Sequence, residues 1–127
     1  MLAPLTPSTR LSATELADRA IRQIAPAILE RLGAPVAAER IRTLPPLTGS
    51  ETARAAMPAL ERIARSTMAP PGPIRSASQC AGAVLRLEMP GGEEPGTTQL
   101  VAAVTRLVNA AVRAGVPATD AVRTLAG

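Results

Sequence analysis

The chain has 127 residues, the length of a single domain, and a formal net charge of +4. It contains no Phe, Tyr, Trp, His or Lys, so arginine supplies every cationic side chain. Without histidine or lysine there is no imidazole base, no imidazole metal ligand, no Schiff-base lysine and no P-loop lysine. We therefore expect a protein that is not an enzyme and that needs no cofactor, metal ion or small-molecule substrate.

The supply of large core side chains is limited. Aromatic residues normally bury roughly 150–250 Å² each, and this chain has none. A buried CH₂ group contributes only about 0.8 kcal/mol. The chain therefore either packs its helices closely through alanine or completes its core with a second copy or a larger partner; a well-packed lone monomer is the third alternative.

The expected compartment is the cytoplasm. The single cysteine, Cys80, excludes an intrachain disulfide framework and fits a reducing environment. The first residues lack the charged start and apolar run of a secretory signal. The longest apolar stretch, residues 100–116, is interrupted by Arg106, Asn109 and Arg113 and is too short to span a bilayer. No membrane contact is expected.

Apolar periodicity predicts an all-α fold: a small bundle of about five to six short helices, ending in an αα-hairpin. Residues 1–11 contain two prolines and are predicted to form an extended arm. Residues 12–68 form the N-terminal helical part, which begins with a capping box at Ser12 and Glu15. Pro26 and Pro58 lie inside helical patterns, and we expect each to kink its helix or to restart it.

Residues 69–96 are rich in proline and glycine and are predicted to be a linker with one short helix. Ser76 and Gln79 favour a helix start there. Residues 83–89 alternate enough to form a strand instead. We prefer the helix because a lone strand would have no pairing partner.

Residues 97–127 are predicted to form a C-terminal helical hairpin. Thr97 or Thr98 would cap its first helix, Gly115 would end it, and residues 118–126 would form the second helix. The first helix presents a continuous apolar stripe, which we take as a self-association or partner face: Leu100, Val104, Leu107, Val108, Ala111 and Val112. The stripe within residues 16–28 is a second such face.

The hairpin also resembles a bacterial helix-turn-helix over about twenty residues. The matching positions are Ala111, Gly115, Val116, Ala121 and Leu125. This resemblance implies DNA binding, although a plain αα-hairpin has the same spacing. The nucleic-acid contacts it would offer are Arg106, Arg113, Thr119 and Arg123.

Two further features have a structural and a functional interpretation. Cys80 is either a buried inert thiol or a nucleophile activated by nearby arginines. Adjacent Glu93 and Glu94 are either solvated loop carboxylates or an acid/base pair. The leading hypothesis is a non-enzymatic structural or assembly protein, acting as a homo-oligomer or as a subunit of a larger assembly. The alternative is a small DNA-binding protein that uses Arg–phosphate contacts.

Overall fold

A computed structural model of the chain describes residues 12–117, and every regular element in that range is helical. The elements are α1 (Ala13–Arg19), a π-helical segment (Ala20–Ile24), α2 (Ala25–Arg31), α3 (Pro35–Arg42), α4 (Ser50–Thr67), α5 (Pro71–Leu87) and α6 (Glu93–Arg113). The first three follow one another without a break. The predicted all-α bundle is therefore confirmed, and the segment left open between helix and strand is helix. The predicted arm at 1–11 and the last hairpin helix lie outside the described residues.

The ends of the N-terminal helices follow local sequence rules. The Ser12 hydroxyl accepts from the Glu15 amide at 3.1 Å, and the Glu15 carboxylate accepts from the Ser12 amide at 3.0 Å, which confirms the capping box. Gly33 ends α2 with a φ of 85°. The Ala34 amide donates to the Leu29 carbonyl there, giving the Schellman geometry that favours glycine.

Both internal prolines lie within continuous helical stretches. Pro26 lies two residues after the last residue of the π-helical segment, Ile24. At the residue between them, the Ala25 amide donates to the Ala20 carbonyl, five residues back. Pro26 has no amide hydrogen, so it cannot donate to a carbonyl in the preceding turn. The change from α-helical to π-helical hydrogen bonding occurs just before this position. Pro58 lies on the exposed side of α4.

Helices α5 and α6 begin earlier than the sequence indicated. The linker sequence at 71–75 is the first turn of α5, and the break at 93–96 is the first turn of α6. Ser76 is buried inside α5 and is not a cap, and Thr97 likewise lies within α6. The first amides of a helix have no partner within it, so prolines at 71, 73 and 95 remove no helical hydrogen bond.

Helix α5 is the centre of the bundle. It packs against α4 and α6 most extensively and also against α1, α2 and the π-helical segment. Small residues allow α5 and α6 to lie close together. At Gly96, for example, a Cβ atom would lie only 2.9 Å from the Leu87 amide nitrogen of α5. The buried part of α5 is mostly alanine and other small residues, namely Ser76, Ala77, Cys80, Ala81, Ala83 and Val84. Close packing through alanine is therefore how this chain builds a core.

Candidate partner-binding groove

The predicted apolar face of α6 is mainly the chain's own core. Four of its six residues are buried within the described structure: Leu100, Val104, Leu107 and Ala111. Val108 is half-buried, and Val112 is 55% exposed. A partner therefore has access to the edge of this stripe and not to its centre. The second predicted face is also part of the chain's own core, since Ile21, Ile24 and Ile28 are buried.

An outer stripe remains on α6 beside the buried one. Val101, Thr105, Val108 and Val112 recur at spacings of four, three and four residues, so they share one side of the helix. Val101 is 56% exposed. This stripe is apolar but narrow.

A groove of about 540 Å³ opens where α2 ends, α5 begins and α6 ends, and we call it the α6 groove. Its lining residues are Ile28, Leu32, Pro70, Gly72, Pro73, Ser76, Arg106, Asn109, Ala110, Arg113 and Ala114. The ends of α2 and α6 are held together because Arg31 Nε donates to the Ala114 carbonyl at 3.3 Å. The Gly115 turn ends α6 with a φ of 82°, which confirms the predicted C-cap.

Helix α6 supplies the polar wall of the groove. Arg106, Asn109 and Arg113 recur at three- and four-residue spacing. The Cα atoms of the two arginines are therefore about 10 Å apart along the helix axis. Arg106 Nη1 donates to Gln79 Oε1 of α5 at 2.7 Å. Arg113 makes no hydrogen bond or ion pair within residues 12–117.

Two of the four predicted nucleic-acid contacts are thus brought to one groove. The other two, Thr119 and Arg123, lie outside the described residues. Sequence reasoning missed the opposite wall, formed by Leu32 and the start of α5. Pro71 is the sequence feature that indicates the start of α5, because proline is favoured at the first position of a helix.

Charge is distributed unevenly between the two ends of the bundle. The end that holds the groove, the Arg end, carries Arg31, Arg65, Arg75, Arg106 and Arg113, together with Glu30 and Glu61. The opposite end, the acidic end, carries Glu51, Glu88, Glu93 and Glu94, together with Arg54 and Arg86. No carboxylate lines the α6 groove within the described part of the chain. The groove is therefore a cationic site, and we call its apolar residues Ile28, Pro73 and Ala110, which are buried or half-buried, the apolar floor.

The other candidate residues lie outside the α6 groove. Burial raises the pKa of the Cys80 thiol to about 12, so it is protonated at neutral pH and inert. Glu93 and Glu94 lie exposed in the first turn of α6, where carboxylates stabilise a helix. Residues 12–117 contain no group of three or more Cys, Asp or Glu side chains placed to hold a metal ion. None of the described helices has the length and hydropathy needed to cross a membrane.

Comparison of the chain with protein-family models, with curated proteins and with solved structures finds no match.

Proposed function

We propose that this chain is a non-enzymatic assembly protein that self-associates or packs on a larger partner, and that the α6 groove is the contact surface. The observation that carries this proposal is the combination, in one groove, of an apolar floor with two arginines from one wall. Protein interfaces are enriched in arginine and have an apolar, well-packed centre. We place the protein in the cytoplasm, since its one thiol has no intrachain partner to form a disulfide.

Leu32 is the apolar group that a partner would cover. It is 48% exposed although it borders the buried Ile28, so the groove presents apolar surface beside the core. Removing this surface from water would contribute about 25 cal/mol for each Å² buried. The two arginines at the rim would orient the partner through charged hydrogen bonds.

Sedimentation velocity over the micromolar range tests the proposal. We expect concentration-dependent association that Leu32→Ser weakens without lowering the melting temperature, because Leu32 contributes little to the core. Val36→Ser is the matched control, since Val36 is 60% exposed but does not line the groove. A monomer at every concentration that also carries no bound protein from its native source would contradict the proposal.

A second candidate function is binding to the phosphate backbone of a nucleic acid. The observation that favours it is the group of arginines at the Arg end, where Arg75 and Arg113 make no ion pair with any described residue. Contacts to phosphates release counterions, so affinity would fall steeply with salt. Arg113→Gln would reduce that salt dependence, whereas Arg54→Gln at the opposite end would not. The chain has no aromatic residue, so base stacking would not contribute.

A further inference from the structure

We propose that the α6 groove receives the acidic end of a second copy of this chain, so that copies join head to tail. This inference rests on the proposed function and names the partner that the groove binds. Its basis is that the two ends of one molecule complement each other both in charge and in apolar surface.

The carboxylates at the Arg end do not neutralise the arginines of the groove. Glu30 is occupied by Arg42 at 2.7 Å, and Glu61 lies 3.5 Å from Arg65. Arg106 is oriented by an uncharged partner, Gln79. A ligand with closely spaced carboxylates would therefore find cations without competing ion pairs at the groove.

The acidic end has a matching arrangement. Met89 is 60% exposed in the turn between α5 and α6. Glu88 precedes it, and Glu93 and Glu94 follow in the first turn of α6, all exposed. An apolar side chain flanked by carboxylates fits a groove whose apolar floor is flanked by guanidinium groups. Glu88 is held in place because its Oε1 accepts from the Ser50 amide at 3.2 Å.

The two surfaces lie at opposite ends of α6, whose 21 residues span about 30 Å. They are different surfaces, so a contact between them leaves one groove and one acidic end unoccupied in every pair. Such a heterologous contact continues into rings or filaments and does not close as a two-fold dimer. Because the charges are exposed, association should weaken as ionic strength rises.

Neutralising variants test this model. Arg106→Gln/Arg113→Gln removes the charge of the groove, and Glu93→Gln/Glu94→Gln removes that of the acidic end. We expect either double variant alone to associate about tenfold or more weakly than the wild-type chain. An equimolar mixture of the two should regain affinity but stop at a 1:1 pair, since only one intact contact is available. Arg54→Gln/Arg86→Gln is the control: it changes the net charge as the groove variant does, but at the acidic end, so association should be retained or strengthened.

The same sedimentation measurements separate the outcomes, with circular dichroism confirming that each variant is folded. Association that survives both neutralising variants would overturn the head-to-tail contact while leaving self-association in place. A symmetric dimer that the acidic-end variant does not affect would overturn it also. A wild-type chain that stays monomeric would refute self-association, and with it this contact. If such a monomer bound a DNA duplex, and Arg106→Gln/Arg113→Gln abolished that binding, the groove would be a phosphate site.

Discussion

The close approach of α5 and α6 at Gly96 makes a quantitative prediction. A Cβ atom there would lie 2.9 Å from the Leu87 amide nitrogen and 3.0 Å from Leu87 Cγ. The backbone atom cannot move without shifting α5, so Gly96→Ala should carry the cost of an overpacked core, about 1–3 kcal/mol. Alanine recovers up to about 1 kcal/mol through its better helix propensity. Taking the middle of the overpacking range and the full recovery, we expect a net loss of about 1 kcal/mol in the free energy of unfolding.

Urea and thermal unfolding followed by circular dichroism would measure this loss, which corresponds to a fall in melting temperature of roughly 4–8 °C. Gly72→Ala is the matched control. It adds the same methyl group to the first turn of α5, where no atom of another helix lies within 4 Å of the new Cβ. The gain in helix propensity is offset by the ring of Pro73, which disfavours helical backbone for a preceding residue with a Cβ, so that variant should be close to neutral. Equal stability of the two variants would refute the packing described for α5 and α6.

Three further predictions concern single groups. Ser12→Ala removes the capping box shared with Glu15 and should lower the free energy of unfolding by about 1 kcal/mol in urea titrations; an unchanged midpoint would show that the cap does not form. The hydrogen bond from Arg42 holds the pKa of Glu30 below its ordinary value of 4.5, so this stabilisation is present above that pH and is lost as pH falls. Arg42→Gln should return the Glu30 pKa toward 4.5 in a carboxyl NMR titration, and an unmoved pKa would refute the pair. Cys80 should react with a thiol reagent only after denaturant exposes it, and rapid modification of the native chain would contradict its burial.

Helix ends governed by neighbouring residues could be predicted from the sequence. The capping box at Ser12 and the glycine caps at Gly33 and Gly115 each depend on a few adjacent positions, and the structure confirms all three. The starts of α5 and α6 do not follow from the sequence pattern, because proline and glycine there equally indicate a break between helices. In a first turn the same residues are tolerated, so Pro71 is read correctly only once its position in the helix is known.

The function of the apolar stripe on α6 could not be predicted from its pattern. Periodicity shows which side of a helix is buried but not what buries it, and Leu107 is buried by the chain itself. The α6 groove was missed for a related reason. It combines side chains as distant in sequence as Leu32 and Arg113, and only the packing of the helices brings them together.

The charge difference between the two ends has a simple origin in helix stability. Three helical stretches run in the same direction, and each begins with a carboxylate and ends with an arginine, as the helix dipole favours. This pattern alone therefore does not indicate binding. Helix α5 runs in the opposite direction and would by the same rule place a carboxylate at the groove. Its first turn has none, and its N-cap is Pro70. Helix α5 therefore lacks a stabilising feature at the position where a negative charge would oppose an acidic partner.

Pro70→Asp tests whether that departure serves binding. An aspartate N-cap typically adds about 0.5–2 kcal/mol to the free energy of unfolding. Replacing proline lowers that free energy by about 0.4–1 kcal/mol, because the unfolded chain becomes more flexible. The melting temperature should thus be unchanged or higher. Association should weaken all the same, because Pro70 lines the α6 groove and the new carboxylate would repel Glu93 and Glu94 of the next copy. Pro70→Ser adds a cap without a charge and should leave association intact. If the aspartate and serine variants associated equally well, the groove would not be selecting for negative charge in its partner.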